Sequence, residues 1–400
     1  MNKHPIDPWA EGLSTIPRPN WLEIDLDALC SNLRHLSTLS GIADLLLPVK
    51  ADAYGHGSLA CSMAVEKEKV ASMLGTAHLF EGIALRDWGI QLPILVLGPA
   101  LPEELPFFID HQLLPTLESF ETAQLYDQIL QKRGIKAPFH LKINSGMNRY
   151  GLRWDQRDQL QRFGELQNAQ LEGVYSHLAC GEAEDGEMNQ LQFKRFQEAV
   201  AQLPSRPRWI HLSNSAGLLR CATLGLNLAR PGLASYGASP LDRKSVEELG
   251  LFPVMKMYAT VRQIHTVPAG ESVSYGLRWK AEQETRVAAV AIGYGDGFRR
   301  NPPAGTTLRI NGVECPIVGT VCMDTTLIDV NGLELRVGDT VSIIDGCESA
   351  NHSVEAMAAQ HQTIPYEITC GIARRLYRVY RWQGRHWSWD QLRKEFSIKL

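Results

Sequence analysis

The pattern of apolar and polar residues divides the chain into two parts with different periodicities. Up to about residue 235, short apolar runs alternate with longer amphipathic segments, as in SFETAQLYDQILQKRG, which ends at glycine. The short runs are strand candidates: LLLPVK, SMLGTA, ILVLGP, LLPTL, FHLKINS, LEGVYSH, WIHLSNS and NLARPG. This alternation predicts parallel strands joined by helices.

From about residue 250 the periodicity becomes that of β-structure. The runs MKMYATVRQI, RVAAVAIGYG, TLRINGVECPIVGTV and DTVSIID alternate, SVEAMAAQHQ is a predicted helix, and YEITCGIARRLYRVY is a predicted last β-like run. Eight strand–helix repeats are the number that closes a barrel. We therefore expect an α/β fold, with an eight-stranded (β/α)8 TIM-like barrel over residues 1–245 and a β-rich C-terminal domain over 246–400. The boundary is expected within 237–253.

Composition and charge narrow the class of protein. The 400 residues are 44% hydrophobic and 21% charged, with a net charge of -4 that is spread along the chain. Neither nucleic acid nor a membrane is expected as a partner, and no apolar run approaches the roughly 20 residues that cross a bilayer. The opening MNKHPIDPWAEG lacks the apolar segment of a signal peptide, so we expect a cytoplasmic protein.

Metal chemistry is not indicated. The 8 cysteines are scattered, at positions that include Cys221 and Cys347, without a CxxC pair, and HExxH does not occur. We expect no metal site.

Polar residues follow several of the barrel strand candidates. Reactive groups of such barrels gather where strands pass into loops. One rim is therefore expected to collect Lys50, Asn144, Ser145, His177, Asn214, Ser215, Arg230 and Gly232. A lysine there can form a Schiff base with an aldehyde, although an exposed charge that closes a strand is the alternative.

Three further features suit a phosphorylated cofactor with a flat ring. Ser215, Gly232 and Leu233 offer small residues and backbone donors to a phosphate, although each alone also suits a helix cap or a turn. His177 suits either a core position or contact with a heteroaromatic ring. Arg230 cannot deprotonate, so it would deny a proton to a pyridine nitrogen that it faced.

Nine motifs, in order along both predicted domains, resemble the alanine racemase family. They are VKADAYGHG, SGMNRYGL, SHLA, SNSAG, ARPGLASYG, VSYG, GYGDG, VCMD and YEITC. The resemblance implies a pyridoxal 5′-phosphate enzyme that interconverts L-alanine and D-alanine through an external aldimine and two-base proton transfer. It also implies a head-to-tail homodimer with shared active sites.

The resemblance also implies roles for single residues. Lys50 is expected to carry the internal aldimine, Arg230 to face the pyridine nitrogen and His177 to lie against the ring. The phosphate is expected among Tyr54, Ser215, Gly232, Leu233 and Tyr366. The expected catalytic residues are Lys50, Tyr275, Arg149 and Asp324.

On the substrate side, Arg149 is expected to contact the substrate carboxylate and support Tyr275. Met323, with Asp324, is expected to line the partner's pocket, and Tyr294 to narrow the entry. Lys142 aligns with a lysine that is carbamylated in some relatives.

Two departures from the family pattern leave the identity of the substrate undecided. Thr320 stands where many relatives have arginine, and GYGDGFRR differs from the commoner GYADG version. The alternatives are a broader racemase for serine or basic amino acids, a basic amino-acid decarboxylase, and a non-catalytic pyridoxal phosphate-binding protein. Arg230 argues against the decarboxylase, which needs an acidic partner for the ring nitrogen.

Overall fold

The computed structural model describes residues 19–184, 186–220, 226–241, 244–346 and 351–396. The opening stretch MNKHPIDPWAEG, Cys221 and Cys347 lie outside these ranges, and the cytoplasmic location stays a prediction. None of the helices in the described ranges combines the length and the apolar character that a membrane span requires.

The strands of the described residues are numbered in chain order. They are β1 (Asn20–Asp25), β2 (Leu46–Pro48), β3 (Met73–Thr76), β4 (Ile94–Pro99), β5 (Leu114–Leu117), β6 (Ala137–Asn144), β7 (Leu152–Arg153), β8 (Ala169–Tyr175), β9 (Trp209–His211), β10 (Met255–Val267), β11 (Ser272–Val273), β12 (Trp279–Lys280), β13 (Thr285–Val290), β14 (Thr307–Ile310), β15 (Val313–Pro316), β16 (Thr326–Asp329), β17 (Thr340–Ile344), β18 (Tyr377–Trp382) and β19 (Arg385–Ser388). The α-helices with right-handed geometry are Leu26–Ser40, Ser58–Glu68, Leu79–Asp87, Leu105–Asp110, Phe120–Arg133, Arg157–Arg162, Glu187–Ala201, Ser215–Arg220, Val354–Gln360, Pro365–Cys370 and Trp389–Glu395.

The first half of the chain forms a parallel barrel. Its strands pair in the order β2-β3-β4-β5-β6-β8-β9, and the short β7 pairs with the end of β6. Buried apolar side chains from these strands pack together, among them Leu46, Met73, Leu95 and Leu114. The helix Phe120–Arg133 shows why the connections are helical, since Ser119 caps its start and Gly134 ends it in a left-handed conformation.

The eighth strand candidate, NLARPG, closes the barrel without forming a regular strand. Ala229 makes a single parallel bridge to Leu45, and the Leu46 amide donates to the Ala229 carbonyl over 2.8 Å. On the other side, the Arg230 amide donates to the Ser213 carbonyl over 3.0 Å. The segment therefore joins the last barrel strand to the first, which confirms the predicted barrel.

The second half of the chain forms the predicted β-rich domain. Its main sheet has the strand order β15-β14-β17-β10-β1-β18-β19, and β13 and β16 extend it from the far half of β10. The 13-residue β10 pairs with β1 and β17 along its first half and with β13 along its second half. Trp21 stacks on Tyr258 with 5.3 Å between ring centroids, beside Val379.

The prediction of a β-like run over YEITCGIARRLYRVY is wrong for the first part of that segment. YEITC lies in the helix Pro365–Cys370, and the strand begins only at Tyr377. Proline at the first helical position, after the extended Ile364, favours a helix start because its fixed φ suits a helix and its missing N–H is not needed there.

The chain packs into two compact units. The barrel unit contains the described residues of 29–53 and 61–251, and the C-terminal unit contains those of 19–28, 54–60 and 252–396. The division into 1–245 and 246–400 stays a prediction. A single boundary near residue 245 would assign residues 19–28 and 54–60 to the barrel domain, although both segments belong to the C-terminal unit. In the first of them, β1 pairs with β10 and β18.

Candidate active site

Lys50 lies two residues after the end of β2, where the chain makes an unusual turn. Ala51, Asp52, Ala53 and Tyr54 all have left-handed backbone conformations, with φ of 51°, 56°, 53° and 52°. For L-residues this conformation costs roughly 1–2 kcal/mol per residue. Four in succession must be held by their surroundings.

The Glu81 carboxylate holds the start of this turn. One oxygen accepts from the Ala51 amide over 2.8 Å, and the other accepts from the amides of Ala77 and His78 over 2.7 Å and 3.1 Å. Glu81 therefore joins the loop after β2 to the loop after β3. It fixes the backbone immediately beside Lys50.

Arg230 is buried and fixed from several sides. Its guanidinium donates to Nδ1 of His211 over 2.8 Å and to the carbonyls of Ser176 and Leu212 over 2.6 Å and 3.0 Å. It also lies 3.3 Å from Nδ1 of His177. Because arginine only donates, both imidazole nitrogens must accept and stay unprotonated.

A chain of neutral histidines continues from Arg230 into the barrel. With Nδ1 of His211 accepting, its Nε2 carries the proton and donates to Nδ1 of His140 over 3.0 Å. Burial, followed by the Arg230 charge, lowers the pKa of His140 to about 3, and the same causes hold the pKa of His211 well below its usual range. The positive charge of this cluster therefore stays on Arg230.

Lys142 and His177 lie in the same electropositive environment. Burial is the main cause that lowers the pKa of Lys142 to about 8, and the charges of Arg149, Arg230 and Lys50 act in the same direction, whereas Glu118 opposes them. Burial, followed by the same cations and Lys142, holds the pKa of His177 well below its usual range. A site where cations outweigh a nearby carboxylate favours an anionic ligand.

The predicted phosphate residues of the barrel unit are also brought together. Ser215 begins the helix Ser215–Arg220, and its hydroxyl accepts from the Ala234 amide over 3.2 Å. Gly232 precedes the 3-10 helix Leu233–Tyr236. Two helix starts thus lie side by side, and their N–H groups can bind phosphate oxygens.

Two predicted phosphate residues form a pair in the C-terminal unit. The rings of Tyr54 and Tyr366 meet edge to face, with 5.4 Å between centroids. Gly55, the residue after Tyr54, has φ of +83°, and a Cβ there would lie 2.2 Å from the carbonyl oxygen of Thr369. Only glycine allows this close approach to the helix that carries Tyr366.

The predicted substrate-side residues of the C-terminal unit form a second group. The amides of Tyr294 and Gly295 donate to the carbonyls of Cys322 and Met323 over 3.0 Å and 2.8 Å, which joins the two loops. Met323 and Tyr294 are exposed. Tyr275, on the turn between β11 and β12, exposes 67% of its surface.

Asp324 is held by a residue that the sequence did not reveal. The Arg375 guanidinium donates to Asp324 over 2.6 Å and to the buried Asp296 over 2.8 Å. Because Gly295 has no Cβ, the Arg375 side chain fits where a Cβ would lie 2.6 Å from its guanidinium. Arg375 follows YEITC within a run of charged residues, which gave no specific signal.

His211 and Glu118 were also missed, although the sequence carries a signal for each. Glu118 directly follows β5, and Lys50 follows β2 after one intervening residue, so both lie where a barrel strand ends. His211 ends β9, inside the strand candidate WIHLSNS. The rule that strand ends carry the chemistry of such barrels applies to both.

Two family models match the chain. The alanine racemase N-terminal domain matches residues 24–240, and the alanine racemase C-terminal domain matches residues 254–380. Together they span both halves of the fold.

Relatives and solved structures agree with these matches. The chain is 33% identical to an alanine racemase of Methanococcus maripaludis, over 91% of this chain and 99% of that protein. It resembles the structure of alanine racemase from Clostridium difficile 630 with a TM-score of 0.86 and 34% identity, over 93% of this chain and 98% of that one. For the Bartonella henselae alanine racemase with covalently bound pyridoxal phosphate, the TM-score is 0.82 and the identity 27%, over 91% of this chain and 100% of that one. The chain belongs to the alanine racemase family.

Proposed function

We propose that the protein interconverts L-alanine and D-alanine with pyridoxal 5′-phosphate as cofactor. Membership of the family supports this reaction. The observation that carries the proposal is the fixed Arg230, a pure hydrogen-bond donor that shares one electropositive environment with Lys50. That environment suits the anionic phosphate of the cofactor and the carboxylate of an amino acid.

The residues of the site fit this cofactor. Lys50 is the residue to hold it covalently, and His177 and Arg230 are those to contact its ring. The groups available to the phosphate are Tyr54, Ser215, Gly232, Leu233 and Tyr366. Pyridoxal phosphate, when bound, withdraws electrons from an attached amino acid and makes its α-hydrogen acidic.

Arg230 sets how strong that withdrawal is. A carboxylate at this place would keep the ring nitrogen protonated, whereas the Arg230 guanidinium can only donate a hydrogen bond, so a ring nitrogen that faced it would accept and stay unprotonated. The Arg230 partners His211 and His177 are neutral. Moderate withdrawal suits racemisation, because a short-lived negative charge at the α-carbon limits transamination. Decarboxylase chemistry, which needs an acidic partner there, is disfavoured.

Racemisation requires an acid–base group on each face of the α-carbon. We propose Lys50 and Tyr275 as these two groups. The side chain of each ends in one titratable atom that can take up a proton and return it. Arg149 binds the substrate carboxylate and supports Tyr275, and Asp324 lines the partner's pocket together with Met323. Tyr294 and Met323 limit the size of the side chain.

We also propose a homodimer in which each site combines Lys50 of one protomer with Tyr275 of its partner. The exposure of Tyr275, Met323 and Tyr294 supports this arrangement, because large apolar groups gathered on a surface are typical of interfaces. Asp324 belongs to the same surface loop as Met323.

The test combines a chiral assay with two variants. Wild-type protein given pure L-alanine should approach equal amounts of both enantiomers, and serine, lysine and arginine tested alongside establish the breadth of substrates. Lys50→Ala should lose the visible absorbance of the bound cofactor, and Tyr275→Phe should keep it while turnover falls by about 10²-fold or more.

The control is Tyr126→Phe, which removes a buried phenol of the helix Phe120–Arg133. It should leave turnover near that of the wild type. Carbon dioxide release from the amino acid, or wild-type turnover in Tyr275→Phe, would contradict the proposal.

A further inference from the structure

The backbone that carries Tyr275 is held in an unfavourable conformation. Ser274 has φ of 63° and ψ of −177°, a region that is essentially restricted to glycine. Gly276 and Leu277 also have positive φ, of 77° and 48°. Such a segment keeps one shape only where neighbouring groups hold it.

Two reciprocal hydrogen bonds hold this segment to Thr320. The Ser274 hydroxyl donates to the Thr320 carbonyl over 2.5 Å, and the Thr320 hydroxyl donates to the Tyr275 carbonyl over 2.8 Å. Thr320 is buried, whereas the Tyr275 side chain is exposed. Packing within its own chain therefore contributes little to the position of the phenol, and its backbone anchor carries more weight.

The two loops can approach because position 319 lacks a side chain. A Cβ on Gly319, whose φ is +75°, would lie 2.9 Å from the Val273 carbonyl oxygen and 3.0 Å from Cβ of Ser274. Val273 and Val318 are buried in the same hydrophobic cluster. The Thr320 hydroxyl thus reaches Tyr275 from a loop that is itself fixed by the core.

We propose that Thr320 is a positioning residue for Tyr275. Its hydroxyl fixes the carbonyl of Tyr275, and through it the strained turn, so that the phenol returns to one place for proton transfer. The inference rests on the proposed role of Tyr275 as one of the two acid–base groups.

Two variants test this role. Thr320→Val keeps the volume and removes the hydroxyl, and Thr320→Ser keeps the hydroxyl. We expect Thr320→Val to lower kcat for alanine by about tenfold to a hundredfold, because small misplacement of a reacting group has costs of this size. Thr320→Ser should recover most of this loss, and both should retain the cofactor absorbance.

Thr285→Val is the matched control. Thr285 is buried in the same unit, and its hydroxyl also donates to a backbone carbonyl, that of Gln283, over 2.8 Å. It is not bonded to the turn of Tyr275 in any described contact. Its variant should keep wild-type kcat.

Isotope effects separate positioning from general destabilisation. With α-deuterated L-alanine and D-alanine, Thr320→Val should raise the isotope effect for the enantiomer whose α-hydrogen Tyr275 removes and leave the other unchanged. A loss of folded protein lowers both rates and changes neither isotope effect, which would overturn the inference.

The outcomes also distinguish this inference from the proposed function. If Tyr275→Phe keeps wild-type turnover, the two-group mechanism is wrong and the inference fails with it. If Tyr275→Phe is inactive while Thr320→Val has wild-type kcat and isotope effects, only the positioning role is wrong.

Discussion

At the residue scale, burial and the charges of Arg149 and Arg230 disfavour the charged form of Lys142 and so lower its pKa. The folded protein releases its proton near pH 8, whereas the unfolded chain releases it near the ordinary value of 10.5. The buried charge therefore lowers the free energy of unfolding by its full amount below pH 8, and this destabilisation disappears as the pH rises to 10.5. A neutral amine is also the form that reacts with carbon dioxide, although carbamylation of Lys142 stays a prediction.

The pH dependence of stability tests this. Lys142→Met removes the titration, so the free energy of unfolding of the variant minus that of the wild type should fall between pH 8 and 10.5, by up to about 1.4 kcal/mol per pH unit. Urea unfolding of both proteins across this range measures the difference. A difference that does not change with pH would mean that Lys142 titrates at its ordinary value.

The sequence alone predicted Lys50 and Arg230 as site residues, because both follow barrel strand candidates and both match family motifs. The sequence did not predict His211 as a partner of Arg230. The neutral state of His211 follows from its burial in the fold and from its contact with a group that only donates hydrogen bonds. The effect of Thr320 was equally hidden, since its hydroxyl acts on a residue 45 positions away.

At the element scale, the left-handed turn after β2 depends on Glu81. Glu81→Gln keeps the shape but removes the charge of an acceptor that serves three amides. We expect a loss of about 1–3 kcal/mol in the free energy of unfolding and a lower kcat, because the backbone beside Lys50 loosens. Unfolding by urea and the alanine assay measure the two effects.

Glu66→Gln is the control for that change. The Glu66 carboxylate accepts from the amides of Gln91 and Leu92 over 2.7 Å and 2.6 Å, in the turn just before β4. It should lose similar stability and keep its kcat. Equal kcat in both variants would show that the turn does not need Glu81 for catalysis.

Elements with long, regular patterns were predicted correctly, and the exceptions have local causes. The YEITC run alternates like a strand, yet Pro365 starts a helix there. NLARPG reads as a strand, but its proline and glycine leave only Ala229 to bridge, and pairing from both sides still closes the barrel. Tertiary pairing, which no local pattern contains, decides only the second case.

At the scale of the whole molecule, the proposed sharing of sites has a direct test. A heterodimer of Lys50→Ala with Tyr275→Phe, isolated with two different affinity tags, contains one site with both native groups and one with neither. It should show about half of the wild-type turnover, although each parent homodimer is inactive. If Lys50 and Tyr275 of the same chain served one site, the heterodimer would be as inactive as its parents.

The strand β1 lies between β10 and β18. In the growing polypeptide, its neighbours at residues 255–259 and 377–381 emerge hundreds of positions later. Ribosomal synthesis therefore delivers this strand early and its hydrogen-bonding partners late. Such distant pairing makes maturation of the C-terminal unit slow, and the waiting edge needs protection from self-association while translation finishes.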